Sequence, residues 1–495
     1  MSKNPDAKNS RTGIRPYLLT ALAVAVSYTV LELGLGLGED VVKALMLAGV
    51  ILCSVYYFVR QSRFKTNSKT ETLIIAIIAA GMVMRIGYML YTPFTMRGHD
   101  IGTFDDDGHF GYMYQIFSTG TLPQTNTYQF YHPPFEHIVQ ALVVKVFSWF
   151  QGTDNLTALF EASKIVPCFA SCAMLWVGRS LCREMKLPPG ATAIALAVFA
   201  FHPAFFILSA SINNDSLMLL FFLTAVLYTI RWYYAPTMKN ILVIALAIGL
   251  AMMTKLSGGM AALFTAPVFI AVFIKKLREK QVKGIIGQFA AFAGVCAPLG
   301  LWYPVRNMIL FDQPLGYITS VTSALYCGDV PLTQRFLSFP LDQLLSPLYC
   351  HPYDDYNIWL YTVKCSVFGE FSFDGLDTFA AILIIANLAL MVVSLAAMVY
   401  VMIRGKGVNL FARFGLFWIW LVQMGSFIVF NLKYPMGCTM DFRYIIPTAI
   451  IGAIYIGIAL NHIKGKHKAV GTGVFGAGVA AVALFCVASI LFYAA

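Results

Sequence analysis

The chain has 495 residues, 59% of them hydrophobic and only 12% charged, with a net charge of +11 and a mean hydropathy of +0.71. A soluble globular domain carries about twice that share of charge, so the composition excludes one and specifies a polytopic membrane protein. The positive excess does not call for nucleic acid, because Lys and Arg concentrate in the cytoplasmic loops of membrane proteins, and ten cysteines with no CxxC and no Cys/His ligand spacing do not make a zinc site.

Unbroken apolar runs without the alternation of barrel strands predict an all-α fold, since only helices and closed barrels satisfy the backbone in hydrocarbon. In chain order thirteen runs are predicted to span: 16–38, 41–60, 71–91, 157–182, 191–210, 213–234, 240–254, 259–276, 284–304, 376–403, 410–431, 443–462 and 470–493. The first has no small-residue cleavage site after a short apolar stretch and is expected to be a retained anchor. The chain divides into a tail with two accessory helices (1–70), a core (71–305), a long loop (306–375) and a C-terminal membrane module (376–495). With the N-terminus inside, 24 of the 35 Lys and Arg but only Asp6, Glu71, Glu184 and Glu279 among 24 acidic residues fall on the cytoplasmic side, which sets the orientation.

Segment 131–150, "YHPPFEHIVQALVVKVFSWF", is apolar enough to suggest a further span. Counting it would invert the charge pattern downstream, and Glu136, His137, Gln140 and Lys145 give it a polar flank. It is therefore predicted to be a helix in the outer interface. Two long outer loops result, 92–156 and 306–375, rich in Tyr, Phe, Pro and His, and the chemistry is expected there.

In "TFDDDGHFGYMYQ" (103–115) the adjacent carboxylates Asp105, Asp106 and Asp107 stand beside His109. Close carboxylates repel and lose hydration near a membrane, which suits a bound cation, a proton to abstract or a sugar to hold, although a solvated acidic loop would look the same. In "YHPPFEH" (131–137) two prolines favour a helix start and hold His132 at its entrance, with His137 one turn further. "NNDS" (213–216) offers Asn213 or Asn214 as a helix cap, and leaves Asp215 in the first turn, where an ionised group needs a partner. Lys255 in "MTKLSGG", Arg306 in "WYPVRN" and Arg443 in "MDFRYIIP" are cations at helix ends on the same side. Each alone is explained by snorkelling, but three at one depth fit an anionic head group. Glu370 and Asp374, and His351, Asp354 and Asp355, are weaker signals that a solvated loop explains. Cys327 and Cys350 share an outer loop, where a disulfide is open to them.

These motifs resemble the GT-C glycosyltransferases, in the branch of protein O-mannosyltransferase-like and bacterial aminoarabinose-transferase-like enzymes. "DDGHFG" (106–111) is similar to that branch's "DEVHFG", and "HPPF" (132–135) to its "HPPL" in the same first outer loop. "RYIIP" (443–447) and "NNDS" resemble further elements of bacterial members, while Tyr131 stands where the mannosyltransferases have an acidic residue and His137 where they have Lys. The resemblance implies a GT-C bundle of about 13 transmembrane helices with interfacial helices in the first outer loop. It also implies a polyprenyl-phosphate-linked sugar donor, Asp106 as general base and inversion at the anomeric carbon. On this reading Asp106, Asp107 and His109 are catalytic, and Asp105, His132, His137, Asn214, Asp215, Lys255, Arg306 and Arg443 bind substrate. The acceptor, whether protein, lipid or glycan, is open. No metal or cofactor is required because phosphate is a good leaving group, but an Asp–His cluster is open to Mg²⁺ or Mn²⁺. The expected place is a bacterial plasma membrane rather than endoplasmic reticulum, with the site facing away from the cytosol. The competing class is a transporter or flippase of lipid-linked sugars, which would keep ionisable groups on broken helices at the midplane.

Overall fold

The computed structural model describes residues 13–63, 69–96, 108–318, 323–466 and 468–495. The chain is an all-α polytopic membrane protein: among the described residues there is no strand beyond one isolated bridge, Tyr326 to Met436. Eleven helices are long and apolar enough to cross a bilayer, from Arg15–Gly34 to Val470–Ala494. The segment expected to lie in the outer interface is the helix Phe135–Gln151, which is not among those eleven.

Two of the thirteen predicted spans take other forms. The run 191–210 is two helices, Pro189–Phe201 and Pro203–Ala210, bent by 52°. Pro203 has no N–H to offer the carbonyl of Phe199, and the N–H of Ala204 is taken by Nδ1 of His202 (3.3 Å), so two carbonyls lose their helical partners. Arg85 supplies replacements from the helix Lys69–Tyr91. Its guanidinium donates to the carbonyls of Phe199 (3.0 Å) and Ala200 (2.7 Å), to Gly81 (2.9 Å) and to Oγ of Ser171 (3.0 Å). One fully buried arginine thus closes the break in an apolar environment that offers nothing else. The run 240–254 is the helix Met238–Thr254, of 17 residues. At 1.5 Å per residue it reaches about 25 Å, short of a hydrocarbon core of about 30 Å.

The basic helix ends form one layer. Arg179 meets Glu71 (3.0 Å), Arg231 meets Glu184 (2.7 Å), Asn409 donates to the Tyr234 hydroxyl (2.8 Å), and Gln288 donates to the Pro236 carbonyl (3.2 Å). Residues 71, 179–184, 231–236, 288 and 409 therefore share one end of the bundle, and the opposite helix ends, near 109, 215, 255, 307, 430 and 443, surround a cavity. A loop roofs that end. The N–H of Cys327 bonds the carbonyl of Pro435 (2.9 Å) and buried Arg335 donates to the carbonyl of Asn431 (3.0 Å). Cys327 and Cys350 are both free thiols.

The helix Phe135–Gln151 is inverted relative to a soluble amphipathic helix. Glu136, His137 and Gln140 are on its buried face with Ala141 and Val144, while Leu142, Val146, Trp149 and Phe150 are exposed. An apolar outer face and a polar inner one are what a helix in contact with lipid presents.

Candidate functional site

The cavity has a volume of about 690 Å³ and draws its walls from the start of helix His109–Thr119, the segment 129–133, the helix ends around Asp215, Lys255 and Asn307, the roof loop with Glu370, and the stretch 423–447. Its wall is zoned. Met218, Leu219, Phe222, Met260 and Phe427 make an apolar side between three spanning helices, and His109, His132, Asp215, Lys255, Glu370 and Arg443 make a polar end.

Asp215 opens the helix Asp215–Tyr234, and its N–H is capped by the side chain of Asn213 (3.0 Å). Its carboxylate is 2% exposed and meets Nζ of Lys255 at 2.5 Å. Lys255 can turn inward because it interrupts the helices with an extended backbone (φ −152°, ψ 130°). This answers the partner question raised by the sequence: each charge is the other's counter-ion. An ammonium has three donors, and Asp215 engages one.

Arg443 lies in the short 3₁₀ turn Phe442–Ile445. Oδ1 of Asp441 accepts its N–H (2.8 Å), and Oδ2 of Asp441 is 3.5 Å from its Nε. Cys365 donates its thiol to the same Oδ1 (3.2 Å), so the turn is fixed from two sides. Burial disfavours the Arg443 charge, but Tyr444, Asp441, Glu370 and Asp215 outweigh it and hold the guanidinium firmly protonated. Nζ of Lys255 and the Arg443 guanidinium both lie over the Tyr444 ring, at 5.2 and 5.3 Å from its centroid, so both cations border the same aromatic ring.

His109, at the first turn of its helix, is 4% exposed and bonds through Nδ1 to Nε2 of His137 (2.9 Å). His132 lies beside it, with ring centroids 5.6 Å apart. Burial, and the positive charges of Lys255 and Arg443, push the His132 imidazole well below its usual 6.5, so it is neutral at physiological pH.

Glu136 is fully buried and accepts from Nε2 of Gln140 (3.3 Å). Burial, with the negative charge of Asp215, pushes its carboxyl well above 4.5. The folded state therefore keeps a proton that the unfolded chain releases, and this contribution to stability is lost as pH rises from the unfolded value through the folded one. Glu136→Gln, which copies the neutral form, is expected to match wild type in melting temperature near pH 4.5 and to exceed it increasingly as pH rises. A pH series of thermal melts in nanodiscs checks this, and a wild type that gains on the mutant with rising pH refutes it.

Of the residues singled out from sequence, His109, His132, Asp215, Lys255 and Arg443 line one cavity. Asp105, Asp106 and Asp107 lie outside the described residues. His137 is behind the wall, against His109. Asn214 is the cap-position residue of its helix and is fully buried, but is not on the wall. Arg306 is not on the wall either. Its guanidinium is held by the carbonyl of Pro123 (2.7 Å) and by Asn307 (2.9 Å), and the wall residue is Asn307, one position and about 100° further around the helix. The expected convergence of three cations is thus a convergence of two.

Glu370, Tyr131, Gln423 and Tyr444 line the cavity without having been singled out as binding residues. Glu370 carried a visible signal, an acid embedded between Val367, Phe368 and Phe371, where a solvated loop would have polar neighbours. His351 and Asp354 form an exposed pair (2.7 Å), as a solvated loop would. Among the described residues no three of His, Cys, Asp and Glu are grouped as metal ligands. Compared with known proteins, the chain matches no family model and no curated sequence.

Proposed function

We propose that the cavity is the active site of an inverting membrane glycosyltransferase of GT-C type, which moves a sugar from a polyprenyl-phosphate donor to an acceptor hydroxyl. One observation carries this reading: a single cavity joins an apolar flank between spanning helices to a polar end where two cations border one tyrosine ring, the complement of a lipid-linked phosphate. The tail follows Met218, Phe222 and Phe427, the phosphate meets Lys255 and Arg443, and the sugar faces the histidines.

Electrostatic stabilisation acts where charge grows. As C1 parts from the phosphate oxygen, negative charge builds on the phosphate beside Lys255 and Arg443, which are held in place by Asp215 and Asp441. Asp106, at the first acidic position of the motif, takes the role of general base, and Asp107 and His109 orient the acceptor for in-line attack. The acidic loop would be the holder of a Mg²⁺ or Mn²⁺ ion, which would supply further charge neutralisation at the phosphate. The basic layer at the opposite end of the bundle supports an extracytoplasmic site, and a bundle of thirteen crossings, counting the bent pair and the short helix Met238–Thr254, belongs to the same reading. A transporter would use its broken helix as a site, but the break at Pro203 is filled by Arg85.

The test uses purified protein in nanodiscs with radiolabelled polyprenyl-phosphate sugars and a crude acceptor fraction. Transfer is expected in wild type and a fall of about a hundredfold or more in Asp106→Asn. Undiminished transfer by the mutant removes Asp106 from the mechanism, and vesicle uptake of lipid-linked sugar without covalent transfer replaces the enzyme by a transporter.

A further inference from the structure

We infer that the cavity carries an acceptor subsite beyond the histidines, built from uncharged amide and aromatic side chains, and that the acceptor it holds is a neutral glycan chain. The inference rests on the transferase reading, whose acceptor it names. Among the described residues, the wall from Pro304 to Tyr353 includes no charged side chain, and Gln129 and Tyr131 extend the same uncharged zone.

Ring contacts lead from the cations into this zone. His132, close enough to feel the charges of Lys255 and Arg443, packs on Tyr131 with ring centroids 4.1 Å apart, and Tyr131 meets Tyr317 edge to face at 5.6 Å. Asn307 ties the two stretches together: its Nδ2 donates to the Tyr131 carbonyl (3.3 Å), and its carbonyl accepts from the N–H of Gln313 (3.4 Å). A donor with its phosphate at Lys255 and Arg443 and its sugar at the histidines therefore leaves Gln313 and Tyr317 to the molecule that attacks it. Tyr353, 52% exposed, carries the wall to the surface, so a long acceptor can extend outward.

Two glutamines give the zone its chemistry. Gln313 is 4% exposed and Gln129 is half-buried; both are on the wall, and Nε2 of Gln313 and Oε1 of Gln129 are buried without a hydrogen-bond partner. Buried polar atoms are nearly always bonded, and the terminal torsion of a glutamine is soft enough to turn its unpaired end to a ligand. A primary amide presents donors and an acceptor side by side. Adjacent sugar hydroxyls, each both donor and acceptor, match it, while the electron-rich ring faces take the C–H side of the sugar. An anionic head group would call for cations in this zone, and an extended peptide is held through its backbone on a sheet edge, which the described wall does not offer. Gln423, a third wall amide with a buried unpartnered oxygen, is nearly three turns from the end of the helix Leu416–Lys433, on the apolar flank and outside this zone.

In the transfer the acceptor hydroxyl oxygen bonds to C1, the bond from C1 to the phosphate oxygen breaks with its electron pair on the phosphate, and the hydroxyl proton passes to Asp106. The test gives purified protein in nanodiscs a radiolabelled polyprenyl-phosphate sugar and three separate envelope fractions: neutral polysaccharide, protein, and solvent-extracted lipid. Label is expected in a polysaccharide product that resists protease and solvent extraction; label in protein or lipid but not in polysaccharide overturns the glycan acceptor. Gln313→Leu and Tyr317→Ala are each expected to raise KM for the polysaccharide about tenfold with KM for the donor unchanged. Wild-type values in both variants overturn the subsite and leave the amides to ordered water. If wild type transfers no sugar to any fraction, the transferase reading falls, and retention of fluorescently labelled neutral polysaccharide by wild type, weakened in the variants, decides the subsite; no retention overturns it. If Gln313→Leu fails to fold, Tyr317→Ala decides it.

Discussion

Replacing Arg85 with methionine is expected to lower the stability of the folded protein by about 3–5 kcal/mol, although Arg85 touches no part of the cavity wall. Methionine retains most of the apolar stem but returns the carbonyls of Phe199 and Ala200 to an interior without donors. Each orphaned buried carbonyl costs about 1–3 kcal/mol, and no water is available in a bilayer interior to reduce the loss. Pro203→Ala restores one N–H to the helix, so the double mutant should be more stable than the sum of the single effects predicts. A double-mutant cycle of thermal melts in nanodiscs measures that coupling. An Arg85→Met variant that melts like wild type would mean that the bend is held by packing alone.

The second large effect is expected at Lys255. Lys255→Met leaves the Asp215 carboxylate, 2% exposed, without its counter-ion, and losing one partner of a buried pair costs about 3–5 kcal/mol. Adding Asp215→Asn removes the stranded charge and should return most of that stability. On the proposed reading it should not return activity, because a donor phosphate would still lack one of its two cations. This split between a rescued melting temperature and an unrescued rate separates a structural ion pair from a substrate-binding one. If the double mutant regains transfer along with stability, Lys255 serves only the fold.

Much of the architecture was legible because hydropathy is a local property. Eleven spans and the existence of the helix Phe135–Gln151 follow from apolar runs and from where Lys and Arg fall between them. Helix-end polar residues were legible for the same reason: Asp215, Lys255 and Arg443 stand out against apolar neighbours, and no membrane protein keeps such groups without partners. What hydropathy averages away was not legible. Arg85 is one charge in a strongly apolar window, and the bend at Pro203 leaves the mean hydropathy of its run unchanged, yet these two residues explain each other. Arg306 and Asn307 show the limit of depth as a guide, since both are at the right level and only the helical rotation decides which one meets the cavity. The pairing of His109 with His137 spans 28 residues and two elements, so no spacing along the chain announces it.

The inverted helix Phe135–Gln151 has a practical consequence. It carries His137 on one side and Trp149 and Phe150, 71% and 81% exposed, on the other, so the surrounding amphiphiles are the packing partner of an element that positions a proposed reactive group. The choice of surfactant during purification is then a variable of the chemistry, and turnover in short-chain micelles should trail that in native lipid even where the rest of the bundle is intact.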